Sequence, residues 1–232
     1  MKITIKQLYK SITTFFLAFT IYFSIAQDRP LGSWNILNLK FSPHVKWSVF
    51  AETQIRSLKF YDHFHYYEYK GGVNYKASQL VTLTIGAGSY QTFQEGGDFV
   101  SPKNNDEFRL WPQMTIQNNL GAVKMEQRAR FEARYTSSGY RNRYRYRLGF
   151  SYPLGQISKK LDPLSIQCNN EIFFSNREPY FERNRFQLLT LFKINENNTI
   201  QLGYLHQFDY KINDEIGRQF LMIGYFMELK NH

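Results

Sequence analysis

The chain has 232 residues, a formal net charge of +10, an aromatic share of 18% and a mean hydropathy of −0.48. A single cysteine, Cys168, excludes an intramolecular disulfide, so an exported chain of this size must be stabilised in another way. Many aromatic residues with a low mean hydropathy are unusual for a soluble core. They are expected from alternating strands that turn one face to lipid and the other to water or paired charge.

The N-terminus predicts export. Three lysines within residues 1–10 precede an uncharged apolar run, and Ser24 and Ala26 supply small residues before a cleavage point at Gln27. This order describes a secretory signal peptide over residues 1–26. A retained anchor is the alternative, but the apolar run is short for a membrane-spanning helix. The mature chain, residues 27–232, is then one domain of typical size.

Alternation with a period of two dominates the rest of the chain. Polar and apolar residues alternate in 45–56, 67–75, 81–88, 107–116, 123–135, 143–152, 164–172, 183–192 and 199–209, and residues 219–229 are apolar nearly throughout. Turn signals rich in Asn, Gly, Pro and Ser separate these segments. Many segments of this kind are typical of a transmembrane β-barrel. The predicted fold class is all-β, a single antiparallel transmembrane β-barrel of about 10 to 12 strands.

The segment 123–135, VKMEQRARFEARY, shows the alternation most clearly. Six charged side chains occupy alternate positions, and the positions between them carry no charge. A helix would spread those charges around its circumference. A barrel lets one face contact acyl chains while the charges lie in a hydrated or ion-paired lumen. Closure also pairs every backbone group, as a membrane-spanning sheet requires.

The strand count leaves one segment unassigned. Single-chain bacterial barrels usually have an even number of strands, whereas residues 33–41 add an eleventh segment. That segment either lies outside the wall or inside the lumen, or another strand has been missed or split. We therefore predict ten or twelve strands, with ten slightly favoured.

Four stretches carry a family resemblance. Trp34, KWSVFAETQIRS (46–57), RNRYRYRLGFSYPL (141–154) and FERNRFQLLTLFKINENNTIQLGYLHQ (181–207) resemble the bacterial domain-of-unknown-function family numbered 2490. Its members are similar to outer-membrane β-barrels, which implies the outer membrane of a Gram-negative bacterium but no accepted activity. The end of the chain, 224–229, is similar to the terminal targeting strand of barrels inserted by the outer-membrane assembly machinery. That resemblance implies the machinery as a partner during biogenesis, with outer-membrane lipid as the surroundings.

Arginines on the inward parity are the candidate anion-binding residues of the lumen. They are Arg128, Arg130, Arg134, Arg143, Arg145, Arg147, Arg183 and Arg185. The predicted acidic partners are Glu52, Glu68, Glu107, Glu126, Glu132 and Glu171. In one interpretation the two sets pair and fill a narrow barrel; Glu52 and Glu68 would pair with Arg56 and Lys70. In the other, the arginines bind or select small anionic solutes.

No catalytic residues, metal ligands or cofactors are predicted, so the protein is not expected to be an enzyme. None of His63, His65 and His206 has a serine two residues away, as a lipase-like barrel would. His63 and His65 near Asp62 are weak metal candidates, and interfacial or loop histidines are the preferred interpretation.

Two other functions are compatible with an exported barrel. An outer-membrane lipid-modifying enzyme would bring a serine, a histidine and an acid together near one membrane face. A periplasmic ligand-carrying barrel would reverse the parity, with Arg128 and Arg130 in solvent and Phe131 in the cavity. Export and lipid-facing aromatics argue against nucleic acid as a partner.

Aromatic residues near segment ends predict interfacial girdles. The candidates are Trp47, Tyr75, Tyr90, Tyr140 and Tyr152. Trp111 lies on the inward parity, so we expect it to pack inside the lumen.

Overall fold

Eleven β-strands close into one barrel. The computed structural model describes residues 30–155, 162–211 and 214–231. The strands are β1 (Leu31–Ser42), β2 (Trp47–Lys59), β3 (Asp62–Lys76), β4 (Val81–Gln94), β5 (Val100–Leu120), β6 (Val123–Thr136), β7 (Gly139–Gly155), β8 (Asp162–Ser175), β9 (Phe181–Lys193), β10 (Asn198–Lys211) and β11 (Asp214–Lys230). Consecutive strands pair antiparallel, and β1 closes the barrel against β11 in a parallel ladder. In the described residues we find no helix with the length and apolar character needed to cross a membrane.

The all-β barrel of 10 to 12 strands is confirmed, but the expected even count is wrong. Residues 33–41 lie in the wall as part of β1, which pairs with β2 on one side and along its whole length with β11 on the other. With an odd number of alternating strands, the first and last strands run in the same direction. The backbone groups on the free edges of β1 and β11 can then hydrogen-bond to each other only as a parallel pair. The predicted signal peptide, residues 1–26, lies outside the described residues.

The connections form two rims. The C-terminal rim contains residues 43–46, 77–80, 121–122 and 194–197 and the end of β11, whereas the N-terminal rim contains 60–61, 95–99, 137–138 and 176–180 and the start of β1. Because β1 and β11 run parallel, the chain enters the barrel at one rim and leaves it at the other.

Alternation sorts the side chains as the sequence predicts. Apolar residues on the outer face stay exposed along the wall, including Leu39, Val49, Val73, Ile85, Leu110, Met114, Tyr144, Ile166, Leu188 and Leu202. From Glu126 to Arg134, the charged positions of β6 are buried or line the lumen, whereas Tyr135 is exposed on the outer face. The reversed parity expected of a soluble carrier is therefore not observed.

The described part of the chain forms two apolar clusters inside the barrel. One contains Trp34, Leu189, Leu205, Phe220 and Met222. The other contains Tyr66, Tyr90 and Trp111. Trp111 is 1% exposed, which confirms its predicted inward position. The placement of Tyr90 in an outer girdle is wrong, because it lies on the inward parity of β4 and Arg109 stacks 3.7 Å from its ring.

Gly86, on the inward face of β4, makes room for the side chain of Trp111. This close packing gives a prediction about stability. A Cβ at Gly86 would overlap the indole of Trp111. We expect Gly86→Ala to lower the free energy of unfolding by about 1–3 kcal/mol, the usual cost of overpacking. Urea unfolding in phospholipid vesicles measures this change.

A glycine on β11 supplies the matched control. A Cβ at Gly217 would meet His206 Nε2 at 3.4 Å, an ordinary contact. Gly217→Ala should therefore leave stability unchanged or raise it slightly. Equal unfolding midpoints for the two variants would contradict the tight packing inferred at Gly86.

Candidate anion-binding lumen

A cavity of about 1300 Å³ occupies the lumen. Every strand contributes to its wall, which extends from Lys230 at the C-terminal rim to Ser138 at the N-terminal rim. Among the residues that the structure describes, seventeen lysines and arginines line it, against six glutamates. The wall is therefore strongly cationic, which favours anions within it.

The structure brings the predicted site residues together. All eight predicted arginines line the cavity, as do Glu52, Glu68, Glu107, Glu126 and Glu171. The sixth predicted acid, Glu132, is 0% exposed and contacts the arginines directly. The lumenal placement of these residues is thus established, whereas anion binding by the arginines stays a prediction.

Glu132 on β6 lies at the centre of an ion network. Its Oε1 accepts a hydrogen bond from Arg145 Nη1 at 2.6 Å and lies 3.5 Å from Arg130 Nη1. Its Oε2 lies 3.8 Å from both Arg109 Nη1 and Arg143 Nη1. One buried carboxylate therefore faces four guanidinium groups from three neighbouring strands.

Two further glutamates extend this network. Arg145 donates to both oxygens of Glu171 at 3.1 Å, and Arg128 Nη2 donates to Glu171 Oε1 at 2.6 Å. Arg109 donates to Glu107 at 2.8 and 2.9 Å. Such bidentate contacts are geometrically specific as well as strong. Glu107 also accepts a hydrogen bond from Arg134, and Arg147 pairs with Glu126. The predicted pairing across the lumen is therefore present.

A second network joins β2 and β3. Lys70 Nζ lies 2.5 Å from both Glu52 Oε1 and Glu68 Oε1, and Arg56 Nη2 donates to Glu68 Oε2 at 2.9 Å. The predicted pairing of these two acids with Arg56 and Lys70 is confirmed. Arg56 also stacks 3.4 Å from the Trp34 ring, which places a cation against an aromatic face.

Sequence reasoning missed Glu182, which accepts a hydrogen bond from Arg143 Nε at 2.5 Å and from Arg134 Nη1 at 3.2 Å. Its position in the alternation predicts an outward side chain. The register between β8 and β9 shifts between Phe173 and Phe174, so Glu182 is the extra residue of a β-bulge. A bulge lets two successive side chains reach the same face, and Glu182 therefore joins Arg183 inside.

Toward the N-terminal rim, many charged and aromatic side chains inside the barrel are buried. We call this part of the lumen the constriction, and it contains Trp34, Arg56, Tyr66, Glu107, Arg109, Glu132, Arg134, Arg143, Phe173 and Arg185. We call the part toward the C-terminal rim the vestibule. Its half-buried side chains are Asn38, Glu52, Asn74, Gln113, Gln117, Arg128, Gln167, Gln187 and Phe226. The lumen therefore changes from a mostly polar vestibule to a more deeply buried, arginine-rich constriction.

The histidine candidates do not come together as a metal site. His63 Nδ1 lies 2.7 Å from Asp62 Oδ2, whereas His65 points into the lumen at a second register shift, between β2 and β3. Among the residues that the structure describes, no three His, Cys, Asp or Glu side chains are placed to hold one ion.

Comparison with known proteins gives one match. A family model described as a protein of unknown function, DUF2490, matches residues 31–217. No curated protein and no solved structure matches the chain.

Proposed function

We propose that this chain, which belongs to the DUF2490 family of proteins of unknown function, is an outer-membrane barrel that binds small anionic solutes in its lumen. It would act without covalent chemistry. Its surroundings would be the lipids of a Gram-negative outer membrane, reached after cleavage of the signal peptide and insertion by the barrel assembly machinery.

The division between the two faces of the wall carries the proposal. Outward positions such as Ile85, which is 74% exposed, and Leu110 present large apolar side chains to the surroundings. A soluble protein would leave this apolar surface in contact with water around the barrel. A bilayer instead favours an apolar outer band around a polar interior.

The charge of the lumen supports anions as the solutes. Four further acids, Glu95, Glu132, Glu182 and Asp209, pair with lining arginines, so among the described residues seventeen cations face ten acids and a cationic excess remains. Four lysines, Lys40, Lys46, Lys76 and Lys230, line the cavity at the C-terminal rim. An anion entering there would meet positive charge first and hydrogen-bonding amides next, and the buried, arginine-rich constriction supports binding rather than free diffusion.

Gel mobility tests the membrane location. We expect the protein to fractionate with the outer membrane and to migrate faster on a denaturing gel when unheated than when boiled. A closed barrel keeps its structure in the detergent until it is heated. Recovery in an osmotic-shock fraction without detergent would contradict the membrane location.

Planar-bilayer recordings test the preference for anions. We expect small currents, because the constriction is packed, and a reversal potential that shows anion selectivity. In the double variant Arg128→Gln/Arg147→Gln the anion selectivity should fall, since both side chains line the lumen. Cation-selective currents, or selectivity unchanged in the double variant, would contradict lumenal anion binding.

A further inference from the structure

Arg185 differs from the other predicted arginines in having no counter-ion. The other seven each have a carboxylate partner. Among the described residues, no carboxylate lies within ion-pairing distance of Arg185, although its side chain is only 8% exposed. A buried and unpaired charge is costly, so such a group is expected to have an anionic partner.

Two acids on the strands next to Arg185 are bound elsewhere. Glu171 stands directly opposite it on β8, but its carboxylate binds Arg145 and Arg128. Asp209 on β10 pairs with Arg183. The neighbouring acids therefore pair with other cations and attract Arg185 only from beyond ion-pairing distance.

The guanidinium of Arg185 is fixed in position. Its Cζ lies 4.9 Å from the Trp34 ring and 4.8 Å from the Phe173 ring, and its Nε donates to Gln207 Oε1 at 2.9 Å. Within the described part of the chain, its two terminal nitrogens donate no hydrogen bond. Arg185 also lines the cavity, so these donors form an ordered and unused fork at the constriction.

We propose that Arg185 is the primary anion-coordinating residue of the lumen and that its ligand is a small carboxylate. This assignment rests on the proposed function, anion binding in the lumen. A guanidinium fork matches the two oxygens of a carboxylate. One unpaired charge fits a monoanion, and the flanking Trp34 and Phe173 rings limit its size. Leu189 and Met222 pack in one apolar cluster with Trp34, and such apolar surroundings suit a short aliphatic tail.

Propionate tests the assignment through the emission of Trp34, which stacks close to Arg185. The purified barrel in detergent is titrated with sodium propionate and, separately, with sodium chloride over the same concentration range. We expect a saturable change in tryptophan emission with propionate. In Arg185→Gln the apparent affinity should fall by about tenfold or more, as for lost hydrogen bonds between charged groups. Arg185→Lys should bind with intermediate affinity.

The control removes one positive charge outside the lumen. Arg177 is exposed in the connection between β8 and β9, so Arg177→Gln should titrate like the wild type. The mobility of unheated protein shows that each variant is folded, and Arg185→Lys serves if Arg185→Gln does not fold.

Three results would overturn the inference. Arg185→Gln titrating like the wild type would exclude Arg185 as the coordinating residue. Chloride producing the same saturable curve would make the site a halide site. A wild-type barrel that gives anion-selective currents but no response to propionate would exclude the carboxylate and leave the proposed function intact. If the wild-type barrel gave neither anion-selective currents nor a response to propionate, the proposed function itself would be rejected.

Discussion

Glu132→Gln is expected to lower the free energy of unfolding by about 3–5 kcal/mol, the usual cost of removing one partner from a buried ion pair. Glu132 is fully buried and faces Arg109, Arg130, Arg143 and Arg145. Glutamine keeps the size of the side chain but removes the carboxylate that these four guanidinium groups share. Urea unfolding in phospholipid vesicles measures the effect.

The matched control is Glu126→Gln on the same strand. Glu126 pairs with Arg147, and both side chains are partly exposed, so water compensates for much of the loss. We expect a cost of about 1 kcal/mol or less. Equal costs for the two variants would contradict a central role for Glu132 in the ion network.

In the proposed membrane setting, Leu110→Arg is expected to destabilise the barrel by about 2–4 kcal/mol, the usual cost of a cation near the midplane on the lipid face of a barrel. Leu110 is 44% exposed on the outer face of β5 and pairs with Ala87 near the middle of β4. Unfolding in vesicles measures this cost, and insertion into outer-membrane fractions should fall with it.

The same substitution at the C-terminal rim is the control. Leu80 is exposed in the connection between β3 and β4. Leu80→Arg should cost about 0–1 kcal/mol, because charge near the interface remains hydrated. If Leu110→Arg were equally mild, the outer face would contact water rather than hydrocarbon.

The sequence was informative about sidedness because a strand repeats every two residues. Wherever pairing is regular, as along β6 and β7, the position of a residue in the alternation decides whether it lies inside. Arg128, Arg130, Arg145 and Arg147 could therefore be assigned to the lumen. The choice of counter-ions was predictable only as a set, since distances between strands depend on barrel curvature.

Bulges and residue type caused the local errors. The extra residues at the register shifts invert the alternation, so Glu182 and His65 could not be assigned from spacing. The prediction for Tyr90 was wrong for another reason. Its position in the alternation indicates the lumen, but its residue type suggested a membrane interface. In this barrel parity outweighed residue type, because Tyr90 packs against Arg109 inside.

The way the barrel closes could not be predicted locally. The ladder between β1 and β11 joins residues such as Trp34 and Met222, which are far apart in the sequence. No turn motif marks such a pairing, and an odd strand count is unusual among single-chain bacterial barrels. The alternation of residues 33–41 was visible, but its place in the wall was not.

The parallel seam has a consequence for biogenesis in the proposed membrane setting. An even barrel can be inserted as complete hairpins that leave both chain ends on the side from which they came. Here β1 enters and β11 leaves at opposite rims, so one end of the domain must be translocated across the bilayer before the seam forms. Epitopes placed beside Leu31 and after Lys230 should accordingly be reached by antibodies from opposite sides of the membrane.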